Sequence, residues 1–356
     1  MQKTYYDITN LKNENATYNI LFGKRSNGKS YQIKKMVLEE YFNNGNKFIY
    51  LRRTPNEIKR ELVVNYFDDF DIKKWTNNKY NCITVRSNEF YLANIGDDFK
   101  IKLGESIGYI WTLLHEENYK SGSYLDVTNI IFEEFMTNRL YLAKEPTKLE
   151  SLYSTVDRNR NIVKIWLIGN SISRINPYLD GWNIKDIFTK IKIGEIKSKF
   201  VKTQSKDKNL SMRKIAVEYC KNQGGESGTI SSNMIDSGDF EVDIQPLLPY
   251  SRKLYTLIFR FVFQYKNYKF ICEYLNLNRD NIFFIYPKYD KIKENTIVIS
   301  DEVKQSRYYG RNIYTYECNN KKILDIFSQF KESNIFYCNN MCGTEFKQLI
   351  DFTIKL

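Results

Sequence analysis

The chain has 356 residues, 42% hydrophobic and 15% aromatic, which excludes a disordered polyelectrolyte and leaves room for two or three compact units. Lys and Arg number 54 against 42 Asp and Glu, and the resulting net charge of +12 suits a partner that is a polyanion, either nucleic acid or an anionic membrane surface. His115 is the single histidine, which argues against Ser/His or Cys/His hydrolysis, and of the six cysteines only Cys338 and Cys342 are close, which argues against a disulfide framework or a zinc site.

In chain order, "TYNILFG" (17–23) reads as a buried strand and "SYQIKKMVLEEYFNNG" as a helix with Ile33, Met36, Val37 and Phe42 on one face. Between them, Gly23, Lys24, Arg25, Ser26, Asn27, Gly28, Lys29 and Ser30 fit G-x-x-x-x-G-K-[ST]. The glycines let the backbone curl so that successive N–H groups form an anion nest, and the helix start adds its dipole. The Lys29 ammonium suits the β- and γ-phosphates of ATP, and the Ser30 hydroxyl suits Mg²⁺.

"KFIYLRRT" (47–54) follows as a strand ending in two arginines, then "NEIKRELVVNYF" as a helix. "NCITVRSNEFYLAN" and "DFKIKLGES" alternate like exposed strands. "VTNIIFEEF" (127–135) and "VKIWLIGNS" (163–171) are apolar, β-branched runs with polar C-terminal ends. Strands alternating with helices predict βαβ units, a mostly parallel sheet and an α/β fold. Glu133 is placed to hold Mg²⁺ and Glu134 to polarise water. Asn170 and Ser171 end a third strand, where the amide would meet the γ-phosphate or the water, or simply close a turn.

Past about Lys190 the chain is dense in lysine. "RKIAVEYCKN" is predicted to be helical, and "QGGESGTISSNMIDSGD" (223–239) a hinge. "KLYTLIFRFVFQYKNYKFICEYLNL" gives two strands about Lys266–Asn267. "NIFFIYP", "NTIVIS" and "NIYTYEC" follow as strands, then "KKILDIFSQFKES" as a helix, "NIFYC" as a strand and "TEFKQLIDFTI" as a helix. The predicted organisation is a P-loop ATPase domain over 1–195, a basic helical linker over 196–240 and a smaller RNase H-like α/β domain over 241–356. With no signal peptide and no apolar run of spanning length, the expectation is a soluble protein with no membrane partner.

The loop GKRSNGKS, "YLRRT", "IIFEEF" and "LIGNS", in this order and spacing over about residues 15–180, resemble the ATPases that package DNA into the heads of small tailed phages. These are relatives of the large terminase subunits, in the additional-strand, catalytic-glutamate division of P-loop ATPases. The resemblance implies a homo-oligomeric ring, a pentamer, on the capsid portal in the host cytoplasm, with double-stranded DNA in its pore. It also implies a basic residue donated in trans to each ATP, for which Lys120, Arg158 and Arg160 are candidates.

A motor indifferent to sequence grips phosphates, and Arg53, Lys59, Arg60, Lys100 and Lys102 are candidates for that. The family's metal carboxylate is usually Asp, so Glu133 leaves the register of the acid pair open. The first strand of the C-terminal part carries no acid, Glu273 lies on the second, and Asp301 and Glu302 come later. The implied nuclease domain is therefore expected to be vestigial and to bind DNA, the portal or a structural RNA. The alternatives are another P-loop ATPase, helicase-like or for virion assembly, and a nucleic-acid-binding scaffold with a degenerate nucleotide site.

Overall fold

The computed structural model describes residues 6–23, 27–137, 141–170, 176–202, 212–221, 246–265, 268–278, 280–287, 296–300, 309–310 and 321–354. The chain divides into two compact units, one of Met1–Thr137 and Tyr141–Gly238, the other mainly Asp239–Leu356. The predicted hinge at 223–239, the strand "NIYTYEC", Asp301 and Glu302 lie outside the described residues.

The first unit is built on nine strands: β1 (Tyr18–Phe22), β2 (Lys47–Arg52), β3 (Cys82–Arg86), β4 (Glu89–Ile95), β5 (Ile101–Thr112), β6 (Val127–Glu133), β7 (Lys164–Gly169), β8 (Ile196–Lys202) and β9 (Met212–Tyr219). Their order is β3-β4-β5-β2-β6-β7-β1-β9-β8. From β5 to β9 every pairing is parallel, and antiparallel pairs close both edges. A parallel sheet must be covered on both faces, and successive side chains of β1 show how. Ile20 and Phe22 join one apolar layer with Leu149, Leu152 and Val156 of helix α5 (Glu145–Asp157). Leu21 joins the other with Ile33, Met36 and Val37 of helix α2 (Lys29–Asn44). Each fully buried aliphatic side chain contributes about 1.5–3 kcal/mol, so these layers anchor both helices.

Helix α2 matches its sequence pattern, and Phe42 packs at the rim of the same layer. "NEIKRELVVNYF" yields less helix than expected. A 3-10 turn at Pro55–Glu57, with a capping box between Thr54 and Glu57, precedes a helix of only four residues, Arg60–Val63.

The helix predicted at 213–222 is corrected, and with it the helical character of the 196–240 linker. Residues 196–202 and 212–219 are strands β8 and β9 of the first sheet. Ile215, Ala216 and Val217 form a continuous buried run, which periodicity cannot tell from a helix segment. Parallel pairing with β1, Tyr18 to Ile215 through Phe22 to Tyr219, decides the outcome.

In the second unit β10 (Thr256–Tyr265), β11 (Tyr268–Leu277) and β12 (Asp280–Pro287) form an antiparallel meander. Strand β13 (Val298–Ser300) runs parallel to β10, β14 (Tyr309–Gly310) parallel to β13, and β15 (Asn334–Tyr337) parallel to β12. Phe330 and Phe346, from helices Lys321–Glu332 and Asn340–Ile354, pack on Phe261, Phe263, Phe270 and Phe283. No described helix is long and apolar enough to cross a membrane.

Because β9 is wedged between β1 and β8, Ile215→Ala should cost about 2–5 kcal/mol of stability in urea unfolding. Met212→Ala, at the exposed start of the strand, should stay within about 0.5 kcal/mol of the parent. Equal effects at the two positions would contradict the burial of this strand.

Candidate functional site

Parallel pairing brings three strand ends level. Phe22 of β1 faces Gly169 of β7, and Ile168 of β7 faces Glu133 of β6. The turn from β1 into α2 depends on glycine at two points. Gly28 has φ 92°. Gly23 has φ 150°, and a Cβ there would meet the Cys220 carbonyl oxygen at 3.0 Å. Lys24, Arg25 and Ser26 lie outside the described residues, as does Ser171.

A cavity of about 320 Å³ opens at these ends, lined by Gly28, Lys29, Ser30, Glu133, Glu134 and Asn170 among others. The Lys29 ammonium is buried and donates to the Gly23 carbonyl at 3.2 Å and Asn27 Oδ1 at 3.1 Å. Burial pulls its pKa down to about 8, against smaller opposing effects of Cys220 and Glu133. The Ser30 hydroxyl donates to Glu133 Oε2 at 3.2 Å, and the Tyr66 hydroxyl to Glu133 Oε1 at 3.0 Å. Burial raises the Glu133 pKa, although both hydrogen bonds and Arg52 oppose the rise.

Glu134 takes the opposite course. Its backbone is left-handed, φ 55°, so the half-exposed side chain turns to Arg52, whose Nη2 donates to Glu134 Oε2 at 2.6 Å. Burial disfavours the Arg52 charge, but Tyr50, Glu134 and Glu57 outweigh it and hold the guanidinium protonated.

The donor set fits a magnesium-bound nucleoside triphosphate. Asn27 Nδ2 is a buried donor without a partner among the described residues, and Asn27 lines the cavity, where an oxyanion would accept from it. Lys29 supplies a cation, and Ser30 with Glu133 supplies the oxygens that Mg²⁺ prefers. A larger cavity, about 520 Å³, lies at the opposite ends of the same strands, around Asn19, Glu40 and Asn129. Both of its carboxylates are already engaged, Glu40 by Thr128, Asn129 and Lys12 and Glu39 by Lys35, whereas the smaller one carries the unpartnered donor Asn27 Nδ2 and the Ser30–Glu133 pair.

The other predicted residues scatter. Arg53 is corrected: it is 4% exposed and forked onto the buried carboxylate of Glu145, with Nε–Oε2 and Nη2–Oε1 both 2.8 Å, and cannot grip DNA. Lys59, Arg60, Lys100 and Lys102 are exposed, Lys100 beside Asp98. Lys120 is exposed and pairs with Glu117. Arg158 is exposed and donates to the Gly122 carbonyl, whereas Arg160 spends its guanidinium on the carbonyls of Tyr124, Leu125, Val127, Val156 and Asp157. Sequence reasoning missed Tyr66 and the ion pair of Lys34 with Asp69 at the cavity wall. Lys34 stands one helical turn after Ser30, a usable signal, while nothing in the sequence marks Tyr66.

Residues 1–350 match the family model of the Podovirus DNA encapsidation protein (Gp16). The DNA packaging protein of Bacillus phage phi29 is 28% identical over 183 residues, 51% of this chain and 50% of that protein. That of Bacillus phage B103 is 32% identical over 163 residues, 45% of this chain and 46% of that one. The chain thus spans about half the length of the packaging proteins it matches. Among solved structures, the bacteriophage Phi-29 viral genome packaging motor assembly aligns over 99% of this chain and 97% of its own, with TM-score 0.53 and 20% identity, a likeness of fold.

A phosphate beside Lys29 favours its charged form, so nucleotide affinity should be full below about pH 8 and decline above it, approaching tenfold per pH unit. Fluorescence titration with an ATP analogue from neutral to alkaline pH checks this, and a flat profile would refute it. The sign for folding is the reverse. A depressed lysine pKa weakens the fold at neutral pH, and the penalty fades as pH rises toward the unfolded value of 10.5.

Proposed function

Since the chain belongs to the Podovirus DNA encapsidation protein (Gp16) family, we propose that it is the ATPase of a motor that drives double-stranded viral DNA into a preformed capsid. The observation that carries this reading is the convergence of Lys29, Ser30, Glu133 and Glu134 on one cavity at the strand ends.

In this mechanism the turn at 23–30 binds the phosphates through its N–H groups, Asn27 Nδ2 and Lys29. Ser30 and Glu133 would hold Mg²⁺, which when bound would supply charge neutralisation. The contact of Ser30 with Glu133, and not with Glu134, supports this register of the acid pair. Glu134 then orients water and takes its proton, and its ion pair with Arg52 holds it turned aside until that pair opens. Asn170, which follows β7 and lines the same cavity, would sense the γ-phosphate.

The P-loop reading of the first unit rests on its strand–turn–helix and on a strand, β7, between β1 and the acidic strand β6. The RNase H-like reading of the second rests on its meander followed by strands parallel to β10. Its expected lack of cutting is supported at Glu273, which is held by Arg252 at 2.7 Å, by Arg260 at 3.5 Å and by the Tyr286 hydroxyl at 3.0 Å, cations standing where a nuclease would want acids.

The pentameric ring, the portal, a structural RNA and the DNA grip by Lys59, Arg60, Lys100 and Lys102 belong to the same proposal, as does transient attachment at the portal vertex in the host cytoplasm. Arg158 and Lys120 are retained as trans candidates, Arg158 first. Arg160 is set aside because its fork holds its own backbone.

Glu134→Gln should lower turnover about 100-fold or more while ATP still binds. Undiminished turnover would remove the catalytic assignment, and a parent chain that never turns over, with or without duplex DNA, would favour a scaffold. Mixing Arg158→Ala subunits with parent subunits should depress ATPase by more than dilution if that arginine acts across the interface, and simple dilution would exclude it.

A further inference from the structure

Arg53 and Glu145 form an ion pair with side chains 5% and 0% exposed, an expensive arrangement unless its geometry is well satisfied. It is. Glu145 is the first residue of α5 and accepts from both Arg53 nitrogens, from the Tyr178 hydroxyl at 2.9 Å and from the Leu142 amide at 2.7 Å. The Arg53 guanidinium lies over the rings of Phe132 and Tyr141, 5.5 and 5.0 Å from their centroids.

Its remaining donors go to two particular carbonyls. Nη1 reaches Glu134 O at 3.3 Å, and Nη2 reaches Phe135 O at 2.8 Å. The next amide in line, Phe135 N–H, donates to Ile168 O of β7 at 3.2 Å. The backbone at 134 is therefore clamped on either side at the one point where it turns left-handed. Arg52 and Arg53 leave the end of β2 in succession, one to the carboxylate of Glu134 and the other to its peptide.

We propose that Arg53 is a positioning residue for Glu134. With Glu145 and Tyr178 it forms a buried strut that fixes the backbone of the hydrolytic glutamate relative to the start of α5 and to the helix Pro177–Gly181. The proposal rests on the reading of Glu134 given above. Its consequence is that the aim of Glu134 is set by two elements that contribute nothing to the cavity wall. Any event that shifts the start of α5 or the Tyr178 segment reaches the glutamate through the strut, without touching the phosphate cradle.

The test uses the full chain with Mg-ATP and duplex DNA. Arg53→Lys keeps a charge against Glu145 but loses the planar fork that reaches both carbonyls. Turnover should fall about 10- to 100-fold, the scale expected of a displaced catalytic group, while affinity for an ATP analogue stays near the parent's in a chain that remains folded at the assay temperature.

The Arg53→Gln/Glu145→Gln double variant removes both buried charges at nearly constant volume. It should lose turnover similarly without leaving an uncompensated charge to unfold the protein. In a Glu134→Gln background, Arg53→Lys should slow the residual reaction no further, because the group being aimed is gone. Parent-like turnover in Arg53→Lys or in the double variant overturns the strut, and so does an equal slowing with and without Glu134. If instead Glu134→Gln itself hydrolyses like the parent, the glutamate assignment has failed first and the strut falls with it.

Discussion

Parallel strand pairing is the constraint on which the first unit depends. Every parallel pair must start at one edge of the sheet and finish at the other, so β6, β7 and β1 deliver their last residues to the same place. The chain then needs only to put the right residue at each end: a glycine-bounded turn after β1, acids on β6, an amide after β7. The level register of Phe22, Gly169, Ile168 and Glu133 sets the common position of these ends, and the two apolar layers that cover the sheet keep that register from slipping.

Concentrating so much polarity at one edge makes an electrostatic problem, which three cations solve differently. Lys29 is buried, donates to the Gly23 and Asn27 oxygens and is left with a depressed pKa, an unfavourable desolvation that a phosphate would relieve under the proposed function. Arg52 is stabilised by a partly exposed carboxylate, a contact that can be exchanged at low cost. Arg53 is stabilised by a buried one, a contact that cannot. Under the proposed function, binding, switching and fixing would fall to three side chains that a composition count would treat alike.

Much of this was legible in the sequence, and the failures are instructive. The glycines at 23 and 28, the helix that follows them and the acidic end of "NIIFEEF" were readable because each obeys a local rule: glycine where φ is positive, a 3.6-residue apolar period, charge after an apolar run. Strand β9 was misread because Ile215, Ala216 and Val217 are apolar on both faces and carry no period at all. Arg53 was misread because an arginine after a strand looks exposed until its partner, Glu145, is known to lie 92 residues away in sequence. Tyr66 was invisible for the same reason, since the Glu133 oxygen that its hydroxyl meets at 3.0 Å lies 67 residues away in sequence. Local chemistry was visible, and long-range polar pairing was not.

The left-handed backbone of Glu134 has a consequence for how such a protein can change. At φ 55° a glutamate forgoes about 1 kcal/mol or more relative to its preferred regions, and glycine or asparagine would fit the turn better. Selection for robustness alone would therefore push position 134 toward a residue unable to fill the proposed role of taking a proton from water. A heat-tolerance screen run without an activity readout would tend to recover well-folded, silent proteins here, a local conflict between durability and work.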